Sequence, residues 1–162
     1  MRASVLSALA ILCGGALGSP AIASEASPAT QASDFYHWYL AQPGAAEPAF
    51  METKIKEFVT PELVTKLRAI YKANDFAEGA DYFLKVQDYD EKYWKKHIDV
   101  STPITSGQQI LELVTLGSVG KAALCVHFRK VGTSWKIFGV DEPDLKTAPA
   151  NCRTHITEEP AQ

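Results

Sequence analysis

Ala122-Ala123-Leu124-Cys125-Val126-His127-Phe128-Arg129, a turn at Val131-Gly132-Thr133-Ser134, and then Trp135-Lys136-Ile137-Phe138-Gly139-Val140 form the run that decides the fold. Ala122, Leu124, Val126 and Phe128 alternate with Ala123, Cys125, His127 and Arg129. Trp135 and Ile137 alternate in the same way with Lys136 and Phe138. A two-residue period on both sides of a Gly-containing turn predicts a β-hairpin. Working backwards, Ile110 to Leu116 is rich in branched residues and is followed by Gly117 and Gly120, so it reads as a third strand. Ile98 to Thr102 alternates too and is stopped by Pro103. The result is an antiparallel meander of about four strands.

Before Ile98 the period changes. Thr60-Pro61-Glu62 is a helix start, with Thr as N-cap, Pro in the first turn and an acid beside them. Leu63, Val64, Leu67, Ile70 and Tyr71 follow at helical spacing and carry that helix to Ala73-Asn74. Met51, Ile55 and Phe58 fit i, i+4, i+7 and predict a helix there as well. Ser33-Asp34 offers an N-cap for a short helix to Ala41, with Phe35, Trp38 and Tyr39 on one face. His37 lies off that face and reads as a surface residue. Helices first and strands after is the pattern of an α+β domain.

Asp81 to Trp94 joins the two halves and concentrates aromatics and carboxylates. Tyr82, Val86, Tyr89 and Tyr93 have helical spacing. Asp88, Tyr89, Asp90 and Tyr93 have weak helix preference, so a helix followed by a loop fits nearly as well. The rings of Tyr82 and Phe83 are expected in the core. Asp88, Tyr89 and Trp94 are expected at the surface as a binding patch, with Asp81 beside them.

The two ends are also readable. Met1-Arg2, an uncharged apolar run from Val5 to Leu17, and the small-x-small sequence Ala21-Ile22-Ala23 predict a secretory signal peptide over 1–23, cut after Ala23. The run is short of the ~20 apolar residues a spanning helix needs. Residues 24–32 read as a flexible lead-in, 33–156 as one domain and 157–162 as a tail. Localisation is then the periplasm or the exterior. Cys13 leaves with the signal, so Cys125 and Cys152 remain. An even count in an oxidising compartment points to one disulfide between them, which would stabilise by ~3–4 kcal/mol.

Composition and motifs narrow the chemistry. Cleavage removes Arg2 from 16 basic residues set against 19 acidic ones and takes the net charge from -3 to -4, which argues against nucleic acid. There is no G-x-S-x-G, no H-E-x-x-H and no C-x-x-C. His37, His97, His127 and His155 are scattered. Asp88-Tyr89-Asp90-Glu91 lacks the glycine of a calcium loop. Asp81 and Asp88, seven apart, are the one pair that could share a helix face for acid–base work. A bridged Cys125 would leave no thiolate for His127. No cofactor and no metal is expected.

Phe35-Tyr36-His37-Trp38-Tyr39-Leu40, Val59-Thr60-Pro61-Glu62-Leu63, Asp81-Tyr82-Phe83 with Gln87-Asp88, and Trp135-Lys136-Ile137 occur in an order that resembles a family of small exported bacterial proteins of unknown function. The resemblance spans roughly Ser33 to Val140. It implies a cystatin-like, nuclear-transport-factor-2-like architecture, with helices on a curved antiparallel sheet. Phe138-Gly139 stands where that pattern has an acidic pair. Together these readings predict an exported, non-catalytic binding protein of inhibitor or immunity type, with an envelope protein as partner. The alternative is a small-ligand carrier or an enzyme using the concave side of the sheet, with Asp81 or Asp88 inside.

Overall fold

The computed structural model describes residues 25–42, 47–74, 79–118, 122–143 and 152. The expected signal segment, its cleavage site and the tail 157–162 lie outside these residues. Three helices, α1 (Pro28–Tyr39), α2 (Pro61–Ala73) and the single turn α3 (Glu91–Trp94), precede five strands: β1 (Ile98–Val100), β2 (Ile104–Ser106), β3 (Gln109–Leu116), β4 (Ala122–Val131) and β5 (Ser134–Asp141). The α+β class and the antiparallel sheet are as the sequence predicts.

α1 begins five residues before Ser33. Ser27 is its N-cap, with Oγ accepting from the Thr30 amide at 3.1 Å, and Pro28 follows in the first turn. Residues 28–32 therefore belong to the domain and not to a flexible lead-in, and Ala32 is completely buried. The Ser-Pro pair supplies a better helix start than Ser33-Asp34, because Pro at N1 has no amide to leave unpaired. Phe35, Tyr36, Trp38 and Tyr39 are buried in the core, and His37 is exposed as expected.

The helix expected around Met51 to Phe58 is two 3-10 turns instead, Ala49–Met51 and Thr53–Glu57. Glu52 between them is extended (φ -70°, ψ 154°), and neither turn has a side-chain cap. A segment this short cannot repay the cost of nucleating an α-helix. Ile55 and Phe58 are buried nonetheless. α2 matches its reading closely. Thr60 caps the Leu63 amide, and Asn74 closes the helix in the left-handed region at φ 54°.

The sheet is four strands wide, in the order β1-β3-β4-β5, with β2 sharing the same edge of β3 as β1. β1 pairs with Val114–Leu116 and β2 with Gln109–Leu111. Pro103 lies in the break between them, as its missing amide requires. The β5 edge is covered by the chain entering α2: the Thr60 amide donates to the Ile137 carbonyl and the Ile137 amide to the Phe58 carbonyl. An exposed strand edge is thereby closed. Val114, Leu116, Leu124, Val126, Phe128, Ile137 and Val140 pack with the α1 aromatics in one core. Leu111, Cys125 and Cys152 form a second cluster, with Leu113 packed against it. The strand period of two assigns these clusters to opposite faces of the sheet. A bulge between His127 and Phe128 bends β4.

Candidate functional site

The segment from Asp81 to Trp94 is a tight loop and one helical turn. Asp81 Oδ1 accepts from the amides of Phe83 (2.8 Å) and Leu84 (2.9 Å), the pattern of a carboxylate that starts a turn. Lys85 then takes φ 57°, and the Asp81 amide donates to the Val86 carbonyl. The chain folds back where a helix would have run on, so Asp81 and Asp88 do not share a helix face. Phe83 enters the core as expected and Leu84 joins it, while Tyr82 is half-buried and packs against the core.

Asp81 is an architectural acid. Its Oδ2 accepts from the Tyr39 hydroxyl at 2.7 Å, which ties the loop to α1. Burial pushes its pKa up, while the hydrogen bonds from Tyr39 and the loop amides pull it down. Burial and the nearby Asp81 carboxylate hold the Tyr39 and Tyr36 phenols well above the usual range. The Tyr36 hydroxyl donates to the Phe83 carbonyl at 3.1 Å.

Asp88 is exposed and Tyr89 half-buried. Trp94 is not at the surface: it is 3% exposed, and this corrects its reading as an exposed binding residue. Asp90 caps the Tyr93 amide and starts α3, which turns Trp94 inward over Gly117. Gly117 has φ 76°, and a Cβ there would lie 2.8 Å from the Trp94 indole nitrogen. Tyr89 packs against the same indole at a centroid distance of 5.0 Å, its ring tilted by 33°. Of the four sequence-predicted residues, Asp88 is exposed, Asp81 and Tyr89 are half-buried, and Trp94 is buried.

Cys125 and Cys152 form the expected disulfide, with Cα atoms 5.3 Å apart, and both are buried. His127 lies two residues from Cys125 on the same strand, and its Nε2 meets Asp141 Oδ2 at 3.0 Å. Burial pulls the imidazole pKa down, and the Asp141 carboxylate opposes that shift.

Two features were not anticipated. Glu112 on β3 is completely buried, and neither carboxylate oxygen has a hydrogen-bond partner among the described residues. Desolvation pushes its pKa up to about 7. The signal was present in the alternation Ile110, Glu112, Val114, Leu116, which puts an acid in the row facing the core. The second feature is a cleft of about 430 Å³ between α1 and the second 3-10 turn. Gln31, Asp34, His37 and Trp38 line one side, and Lys54, Glu57 and Phe58 the other. Trp38 and Phe58 stack at 5.5 Å with their planes 17° apart. The Gln31 amide bonds the Glu57 carbonyl at 2.8 Å across it. Asp34 and His37, three apart on the outer side of α1, were the available sequence signal. Among the described residues no group of His, Cys, Asp and Glu is arranged to hold a metal ion.

No family model and no curated protein matches the chain. Its structure is similar to a chain of the type VI native effector–immunity complex Tae3-Tai3 from Ralstonia pickettii, with 33% sequence identity and a TM-score of 0.68 over 72% of this chain and 94% of that one. The selenomethionine form of the same complex matches at 33% identity and a TM-score of 0.67, covering 96% of its chain.

Proposed function

We propose that this chain, which belongs to the family of the chain it matches in the Tae3-Tai3 type VI effector–immunity complex, is the immunity partner: an exported, non-catalytic protein that binds and blocks an effector in the envelope. The observation that carries the reading is the match itself, at 33% identity across nearly the whole of the related chain. The chemistry favours the immunity side over the effector side. The described cysteines are joined in a buried disulfide, so Cys125 has no thiolate to act as a nucleophile. Asp81, the half-buried acid predicted for a site, is engaged by a phenol and two amides. The signal-peptide pattern and the Cys pair agree with an oxidising, extracytoplasmic location. The cystatin-like likeness belongs with this reading, as a helix-backed sheet that presents a binding surface.

Binding between the purified mature chain and a Tae3-type effector from the same genome, followed by calorimetry, tests this. The reading expects a one-to-one complex of about 1 μM or tighter. No heat of binding at effector concentrations of about 100 μM would remove it. Asp88 and Tyr89 are contact candidates on this reading, and their joint replacement by Ala should weaken the complex without unfolding the chain. Mass measurement of periplasmic material tests export: cleavage after Ala23 is expected, and an intact N-terminus in the cytoplasmic fraction would refute it.

A further inference from the structure

Among the described residues, two that are not glycine take a positive φ, Asn74 and Lys85. Asn74 closes α2, and asparagine enters the left-handed region at little cost. Lys85 closes the single turn that begins at Asp81: its amide donates to the Asp81 carbonyl at 2.8 Å, and its φ is 57°. Glycine is the residue such a closing position favours, and a side chain bearing a Cβ is strained there. The turn itself does not need a lysine. It is held by the Asp81 carboxylate, which accepts from Phe83, Leu84 and Tyr39, and by the Asp81 amide, which donates to the Val86 carbonyl.

What the strain does is place one cation. The Lys85 ammonium lies 4.3 Å from the centroid of the Tyr82 ring. That ring is fixed from two sides. Its hydroxyl accepts from the Val140 amide of β5 at 3.4 Å, and Phe83 meets it edge-on at 5.0 Å. The ammonium is close enough to favour the charged form of Asp81, but the two form no ion pair, because both Asp81 oxygens already accept hydrogen bonds. A free lysine side chain loses much rotamer freedom when a partner binds it, and one already resting on an aromatic ring loses less. Lys85 is half-buried, and exposed Asp88 follows three residues on. Strain kept at a position where glycine would relieve it, on a loop tethered to both α1 and β5, is the pattern of a functional site.

We propose that Lys85 anchors the effector to this protein by receiving a carboxylate of the effector. The ring beneath the ammonium accepts no strong hydrogen bond, so its N–H donors are free to turn outward, and a carboxylate is the protein group that answers them with a charge-assisted bond. The inference rests on the immunity reading for the partner and goes beyond it by naming the residue, the device that orients it and the group it meets.

Calorimetry against the Tae3-type effector and thermal unfolding of the mature chain alone, run on the same variants, test this. Lys85→Gly removes the cation and the strain together. Its melting temperature should rise by about 2–4 °C while effector binding weakens about tenfold. Lys85→Arg keeps the cation and should retain most of the affinity. Lys85→Glu should bind more weakly than Lys85→Gly at low salt, with the gap closing as salt is added. A melting temperature of Lys85→Gly that fails to rise removes the strain on which the inference stands. Glycine or glutamate variants that bind like the wild type overturn the anchor and leave the immunity reading intact. A wild-type chain that binds no effector removes the immunity reading and the anchor with it.

Discussion

Glu112→Gln should change how the stability of this protein depends on pH. The wild-type carboxyl is buried without a partner, and its pKa is raised by desolvation from 4.5 to about 7. A carboxyl whose folded pKa lies above its unfolded value keeps its proton in the native state while the unfolded chain has lost it. Native stability is then full below pH 4.5, falls as pH rises towards 7, and is level above that. The shift corresponds to a loss of about 3 kcal/mol across the window, at 1.36 kcal/mol per unit. Glutamine has nearly the same shape and cannot ionise. Its amide carries a desolvation cost of about 1–3 kcal/mol wherever it stays unpaired, but that cost is the same at every pH. The difference in stability between variant and wild type should therefore move in favour of the variant by about 3 kcal/mol between pH 4.5 and 8. His127 acts in the opposite sense: its folded pKa is lowered, so its contribution is lost as pH falls through 6.5. It is present in both proteins and cancels in the difference. Urea unfolding with the disulfide intact, at half-unit pH steps, measures the effect. Parallel pH profiles for the two proteins would show that Glu112 carries no extra proton in the native state, and the reasoning from its burial would fail.

Three further perturbations test the architecture. Gly117→Ala adds a Cβ against the Trp94 indole at a residue with φ 76°, so a loss of about 1–3 kcal/mol and a red-shifted tryptophan emission are expected; an unchanged melting temperature would refute the close contact. Tyr39→Phe deprives the Asp81 carboxylate of its phenol donor and should cost about 1.5–3 kcal/mol in urea unfolding; an unchanged urea midpoint would show that the bond does not hold the loop. Reduction of the Cys125–Cys152 bridge should lower stability by about 3–4 kcal/mol for a loop of 27 residues, read as a drop in the urea midpoint between oxidised and alkylated protein.

Sequence alone determined the class, every strand but the short β2, α2 and the disulfide, because each is written in local signals. Alternating residues specify a strand wherever one of its faces is buried, and Thr60-Pro61-Glu62 caps a helix with atoms no more than three residues apart. The pairing of Cys125 with Cys152 followed from counting. Tertiary structure decided the rest. The helical spacing of Tyr82, Val86, Tyr89 and Tyr93 is also satisfied by a turn that delivers rings to the core, and the Asp81 carboxylate, held by Tyr39 from 42 residues away, selects the turn. Trp94 looked like a surface residue because nothing local reveals that Gly117 leaves a space for its indole. Glu112 sat in view on a core-facing row, but only the packing shows that no partner reaches it. The cleft depends on the stacking of Trp38 on Phe58, which are 20 residues apart in the chain and adjacent only once α1 lies against the 3-10 turn. Periodicity tells a chain which side of an element is apolar; which polar groups end up facing one another is settled by long-range contacts that no local pattern encodes.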